Sequence, residues 1–305
     1  MPRWRLDNLL DPQTGVWFEN QLTDIREEVL LDQIPPRNGF LYLPQDTSVA
    51  AWAENYEHRM YEPIGIAQFI ADFAEDLPLV DIATRKETFN LRTFGVAYQY
   101  NIDEIEKSKA VGMDLQGKRA RAARLVTEQK FNDIMFFGDP ETQLFGLVNY
   151  PYIPRRLLPY KIEEATAAQD ILDMFHDLVN SIFTLTETIG DPDTVGLPPT
   201  QYAHIASRRI GDGTDTKILQ DFLAASPFIK EVVPMRELAG AGPNGEDLVV
   251  VYRNDSQIIE HKLAREFTQL APQRRNLAVL TNCHAKSGGM ASDRPLEMVI
   301  GELPQ

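Results

Sequence analysis

Residues 117–137, GKRARAARLVTEQKFNDIMFF, set Ala120, Ala123, Thr127, Phe131 and Ile134 three and four positions apart, and the run stops at Gly138-Asp139-Pro140. Such spacing traces one face of an α-helix. The face is narrow, while Lys118, Arg119, Arg121, Arg124 and Lys130 fall on the other sides. The stop is as constrained as the helix. Glycine can take a left-handed cap, and Asp-Pro forbids continuation. Any fold built on this segment has one long helix with a thin contact stripe and a basic exposed side. A second glycine, Gly146, and then Asn149-Tyr150-Pro151 lead the chain away from it.

The flanking segments are unlike one another. Residues 20–31 have helical character, with Leu22, Ile25, Val29 and Leu30 on one side, and Pro35-Pro36 and Pro44 predict an extended tether after them. A short helix on a tether docks on its own domain or on another chain. Between residues 53 and 100 the stretches AENYEHRMYE, GIAQFIADF and KETFNLRTFGVAYQY read as strands separated by turn chemistry. Their apolar runs are too thin for an isolated sheet, which suits a projecting hairpin covered by a neighbouring molecule. Asp103, Glu104 and Glu106 mark a helix start after Asn101, and Gly112 and Gly117 separate that helix from the long one.

Further on, Ile171, Met174, Phe175, Leu178, Ile182, Leu185 and Ile189 predict a second long helix, opened by a Thr166/Gln169 capping box and ended by Gly190. Shorter helices are expected over residues 201–208 and 216–224, the latter capped by Thr214 or Asp215. LVVVY at residues 248–252 reads as a buried strand, SQIIEHKL as the next, and residues 277–302 as two strands joined around Ser287-Gly-Gly289. The class is α+β, with no βαβ regularity and no repeat.

Composition narrows the chemistry. A net charge of −15 over 305 residues argues against a surface coated with phosphate-binding cations and leaves room only for a local basic stripe. One cysteine, Cys283, excludes an internal disulfide framework and fits a reducing compartment. The first residues lack the apolar core of a signal peptide, and no apolar stretch is long enough to span a bilayer. His58, His176, His204, His261 and His284 form no metal-ligand spacing, so no metal or cofactor is expected. The Cys283–His284 neighbours point to opposite sides of a strand. GAGPNG at residues 240–245 lacks the signature of a phosphate cradle and reads as a surface turn. No enzyme site emerges. Lys118, Arg119, Arg121 and Arg124 could meet nucleic-acid phosphates, or could pair with carboxylates such as Glu128 and Asp133.

GIAQFIADFAEDLPLVDI, FGVAYQYNIDEIEKSKAVGMDL and ARAARLVTEQKFNDIMFFGDPETQLFGLVNYP together resemble the major capsid proteins of tailed bacteriophages, whose Hong Kong 97-like fold is shared by encapsulin shells. The resemblance is in wording over residues 50–155 and in architecture beyond. It implies an N-terminal arm (1–45), an E-loop region (46–95), a P-domain with the spine helix (96–165), an A-domain (166–262) and a return to the P-domain sheet (263–305).

The function so implied is that of a non-enzymatic protomer assembling through hexamers and pentamers into an icosahedral shell around double-stranded DNA. The alternative is an encapsulin compartment holding a cargo enzyme. Lys118, Arg119, Arg121 and Arg124 would face the lumen, and Gly138 and Gly146 would form the joint after the spine helix, with Phe136 and Phe137 anchored in the P-domain core. Portal, scaffolding and decoration proteins are the further partners of such a shell, with no membrane involved. The implied location is the virion, after assembly in the host cytoplasm. Some relatives crosslink a lysine to an asparagine between subunits; Lys86 and Asn90 qualify by position alone, and no crosslink is expected from them. No scaffolding segment stands ahead of the arm, and a start at Met1 argues against its removal.

Overall fold

A computed structural model describes residues 37–67, 69, 79–111, 115–163, 166–211 and 213–304, all within one compact unit that begins at Arg37. The helix expected over residues 20–31 and most of the strand expected in GIAQFIADF lie outside the described residues.

Between Pro36 and Pro44 the chain is not wholly extended. A one-turn helix α1 (Asn38–Tyr42) forms before β1 (Gln45–Asp46). A buried polar cluster explains it. The Asn132 side-chain oxygen accepts the Gly39 amide at 2.9 Å, while Asn38 and Asn132 both donate to the Glu237 carboxylate, at 2.7 and 2.8 Å. These buried groups satisfy one another, as burial requires.

Among the described residues, strands β2 (Asn55–Ile64) and β3 (Asp81–Asn90) pair only with each other, in ten antiparallel rungs from Asn55↔Asn90 to Ile64↔Asp81. β4 (Arg92–Asn101), α2 (Ile102–Val111) and α3 (Leu115–Phe137) follow. The predicted stripe is the buried one: Ala123, Thr127, Phe131 and Ile134 are all buried, and the Thr127 hydroxyl is satisfied by the Ala123 carbonyl at 2.9 Å. Phe131 meets Phe40, Phe94 and His261 edge-on. Gly117 lies inside the helix instead of preceding it.

The surface beneath α3 is a sheet of β1, β9 (Ile259–Gln269), β11 (Ala278–Ser292), β10 (Gln273–Arg275) and β4. β11 is its spine, pairing with β4 along one edge and with β9 and β10 along the other. Here the turn expected at Ser287-Gly288-Gly289 is absent. The strand runs through, and the register slips between Ser287 and Met290, where Gly289 takes φ +72°. The glycines make a bulge, which glycine in a strand often marks.

A second sheet has the order β5 (Arg155–Leu157), β12 (Val299–Glu302), β8 (Leu248–Tyr252), β6 (Thr194–Leu197), β7 (Glu231–Pro234). LVVVY is buried throughout because it has a core on each face. Leu248, Val250 and Tyr252 join the core under α3, and Val249 and Val251 join the core under α4 (Ala168–Leu185). Alternating residues serve opposite faces, as strand geometry dictates. The segment 263–305 divides between the two sheets: β11 lies in the first, and β12 pairs with β8 and β5 in the second.

The expected capping box does not form. Ala167 is the N-cap of α4, the Thr166 hydroxyl donates to the Lys161 carbonyl, and Gln169 reaches forward to Asp173. The helix ends at Leu185, before Gly190, because Glu187 and Thr188 make the left-handed turn at φ 51° and 70°. Gly190 sits in a tight space: a Cβ there would lie 2.9 Å from Glu297 Cγ, so a side chain would have to give way. Two short helices, α5 (Pro199–Ser207) and α6 (Ile218–Ala225), complete this lobe, with Lys217 at the N-cap of α6 instead of Thr214 or Asp215.

Candidate assembly site

Three features are organised by the fold: the joint after α3, the hairpin β2–β3 and the basic side of α3. At the joint, Gly138 takes φ +66° and its amide still donates to the Ile134 carbonyl at 2.9 Å. The chain then loops through a bridge between Asp139 and Leu144 and returns onto the helix end. The Leu147 and Val148 amides donate to the Met135 and Phe136 carbonyls, each at 2.8 Å, satisfying groups a helix C-terminus leaves open. Gly146 has an ordinary φ and is needed for proximity, since a Cβ on it would lie 2.6 Å from the Phe136 carbonyl carbon. The Asn149 oxygen accepts its amide at 2.6 Å. The loop is held from beneath by the bulge, where Met290 N–H donates to the Phe145 carbonyl at 2.7 Å. Phe136 is fully buried, as expected, but Phe137 is 41% exposed and is not part of the core that Phe136 joins.

The hairpin has a firm root, and the described apolar residues towards its far end are exposed. Tyr56 and Phe89 stack at the root with centroids 5.2 Å apart, and the Lys262 ammonium sits 4.6 Å from the Tyr56 ring centre. Lys262 also donates to Asp46 at 2.8 Å and to Glu260. Burial alone would raise the Asp46 carboxyl, but hydrogen bonds from Lys262 and Ser48 hold it below the usual aspartate value. Burial likewise works to lower Lys262, and its two carboxylates outweigh that and raise it. His58 meets Asp293 at 3.1 Å, and Lys286 donates to the carbonyls of Ala51 and Ala53. Towards the tip, Tyr61, Ile64, Ile66, Phe69, Leu79, Val80 and Ile82 are all exposed, Leu79 by 91%. Isolated exposed apolar residues are ordinary; a contiguous run of them marks an interaction surface.

On α3 the four basic residues are not equivalent. Arg119 donates to the Gln99 carbonyl, forks onto Glu104 at 3.1 and 3.2 Å and lies over the Tyr100 ring. Arg124 pairs with Glu128 one turn on, at 2.7 Å, and Arg37 shares that carboxylate. Lys118 is half-buried and partnered, and Arg121 is exposed. Pairing with carboxylates thus accounts for Arg119 and Arg124.

The histidines are scattered as well. His176 lies near Ser226 Oγ at 3.4 Å, His204 is exposed, and His284 contacts Arg265. His261, fully buried, shares a 2.8 Å hydrogen bond with the Ser287 hydroxyl and is pushed by desolvation down to about 3. Sequence reasoning saw no partner for His261 and missed the Asn38–Asn132–Glu237 cluster, whose members are far apart in the chain. Among the described residues, no cluster of three or more His, Cys, Asp or Glu could hold a metal ion.

The same architecture recurs in solved shells. The capsid of Myoviridae phage XM1 superposes with a TM-score of 0.76 at 11% identity, over 87% of this chain and 92% of that one. The capsid of an empty GTA particle gives 0.63 at 10% identity, over 89% and 92%. A virus-like particle from Pyrococcus furiosus gives 0.52 at 11%, over 86% and 91%. At these identities the likeness establishes the fold, which is the Hong Kong 97-like one expected from sequence. No curated protein matches by sequence. The sequence profile described as major capsid protein matches residues 65–301, and the chain therefore belongs to the major capsid protein family.

Proposed function

We propose that this chain is the non-enzymatic structural protomer of a tailed-phage head, closing through hexamers and pentamers into an icosahedral shell around double-stranded DNA. The observation that carries the reading is the β2–β3 hairpin, whose apolar residues towards the tip find no cover among the described residues of their own subunit. Burial on a neighbour would supply the stabilisation that a monomer forgoes, at roughly 25 cal/mol per Å² of apolar surface. In this reading residues 1–45 are an arm, 46–95 the extended loop, 96–165 with 263–305 the peripheral domain, and 166–262 the axial domain. Lys118, Arg119, Arg121 and Arg124 face the lumen and its DNA. Gly138 and Gly146 form the joint between the two domains. Portal, scaffolding and decoration proteins complete the head, which assembles in the host cytoplasm.

Cryo-electron microscopy of the purified chain under assembly conditions tests this. Closed shells of five- and six-fold capsomers are expected, and nucleic acid inside particles from infected cells. A monomer that stays monomeric at high concentration would sink the proposal, and shells from the native source filled with a protein cargo would transfer it to an encapsulin-type compartment.

A further inference from the structure

Two lysines of the first sheet are almost wholly buried, Lys262 on β9 and Lys286 on β11. A buried cation is ordinarily matched by a carboxylate. Lys262 is matched, by Asp46 and Glu260, and its ammonium also meets the Tyr56 ring of β2. Lys286 is not. Among the described residues it has no ion pair, in a chain whose carboxylates outnumber its cations by 45 to 30. Its ammonium goes instead to two backbone carbonyls, that of Ala51 at 3.2 Å and that of Ala53, in the turn through which the chain enters the hairpin. A methionine would fill the same length without the penalty of burying a charge. The lysine is explained by what its ammonium holds.

The two holds bracket the first rung of the ribbon, Asn55↔Asn90. Lys286 grips the chain just ahead of it, and Lys262 grips Tyr56 just beyond. Tyr56 stacks on Phe89 of the opposite strand, so the second hold reaches both strands through one ring. Hydrogen bonds to a charged donor are about twice as strong as neutral ones, which suits them to fixing a junction at points. Ten rungs then run outward, about 30 Å of ribbon, so a tilt of about 10° at the root displaces the far rung by about 5 Å. We infer that Lys286 and Lys262 are positioning residues: from adjacent strands of the first sheet they fix the direction in which the hairpin leaves the subunit. The effect on assembly rests on the shell-forming reading, because a misdirected hairpin misses its neighbour. The direction itself belongs to the single subunit.

That direction can be measured on the unassembled subunit. Nitroxide labels on Thr84→Cys, exposed on β3, and on Asn180→Cys, exposed on α4, in a Cys283→Ala chain report the distance from ribbon to body by pulsed electron paramagnetic resonance. One narrow distance is expected. Lys286→Met and Tyr56→Leu, each checked as folded by circular dichroism, should shift or broaden it. In the unlabelled chain the same changes should raise the concentration needed for shell formation about tenfold or more. Tyr56→Phe keeps the ring against the ammonium and should leave both readings at their original values. A lysine that merely stabilised the fold would lower the urea midpoint and leave the distance unmoved. An unmoved distance in Lys286→Met would therefore overturn the role of Lys286, and one in Tyr56→Leu that of Lys262. Distances that respond as described in a chain that never forms shells would support the positioning role and sink the shell reading alone.

Discussion

Gly146 packs so tightly against Gly138 that a Cβ on it would stand 2.3 Å from the Gly138 nitrogen. The two glycines fail differently when replaced. Gly138→Ala meets the left-handed penalty of about 1–2 kcal/mol and also the Leu144 carbonyl at 2.3 Å. Gly146→Ala has no torsional penalty and costs about 1–3 kcal/mol through overpacking. Gly211→Ala, with open space around it, should change stability by less than about 0.5 kcal/mol. Urea midpoints rank the three. Gly146→Val should stay soluble and fail to close shells; normal shells would contradict the role given to the joint.

Asn132 is the hub of the cluster that holds α1. Asn132→Ala leaves the buried Gly39 amide without its acceptor and Glu237 without one donor, at about 1–3 kcal/mol. Amide exchange over Asn38–Tyr42 should quicken more than exchange in α4. Asn132→Asp, which sets a second carboxylate against Glu237, should be worse than alanine. Unchanged exchange in α1 for both variants would refute the coupling.

His261 makes the fold acid-sensitive in a defined window. Its folded value of about 3 lies below the unfolded 6.5, so between them the unfolded chain binds the proton and the folded chain does not. Stability contributed by the neutral ring is complete above about 6.5 and falls by about 1.4 kcal/mol per pH unit on acidification towards 3. Going from pH 6.5 to 5 should remove about 2 kcal/mol in denaturant titrations. In His261→Gln that part of the slope should vanish, and an equally steep profile would assign the acid sensitivity to other groups.

The proposed lumenal role separates the basic residues of α3. Arg121→Gln removes an exposed charge and should lower non-specific duplex binding, with the salt slope reduced by about one. Arg119→Gln should instead lower stability, because that guanidinium holds the Gln99 carbonyl and Glu104. Binding measured from 50 to 200 mM salt distinguishes the two. An unaltered slope for Arg121→Gln would remove it from the DNA-facing set.

What could be read from sequence was what repeats at a fixed period. The α3 stripe from Ala123 to Ile134, the α4 face from Ile171 to Ile182 and LVVVY are local patterns and are buried as their spacing required, whereas Leu185 and Ile189, expected on the same α4 face, are exposed where the helix ends. Terminators were harder. Thr166 has a capping side chain, but it lies one residue ahead of the real N-cap, and its hydroxyl is drawn to Lys161. Ser287-Gly-Gly289 carries turn chemistry, yet its neighbours hydrogen-bond along a continuous strand, so the same glycines make a bulge. Of the candidate site, the glycines of the joint were visible because a helix must stop. The partners of Arg119 on β4 and α2 are set by packing, which local spacing does not encode.

The last strand, Val299–Glu302, fills the gap between β5 and β8, with Val299 and Ile300 wholly buried. Since β5 and β8 do not pair with each other, the second sheet stays split until the ribosome has made residue 302 and the tunnel has released it. A nascent chain has its hairpin long before that lobe can close. Synthesis thereby sets the order of events: the apolar hairpin surface is made early, and the second sheet can join only once residues 299–302 have followed. Chains cut short before residue 299 would carry an open sheet into the cell, where they would be cleared or aggregate instead of entering a shell.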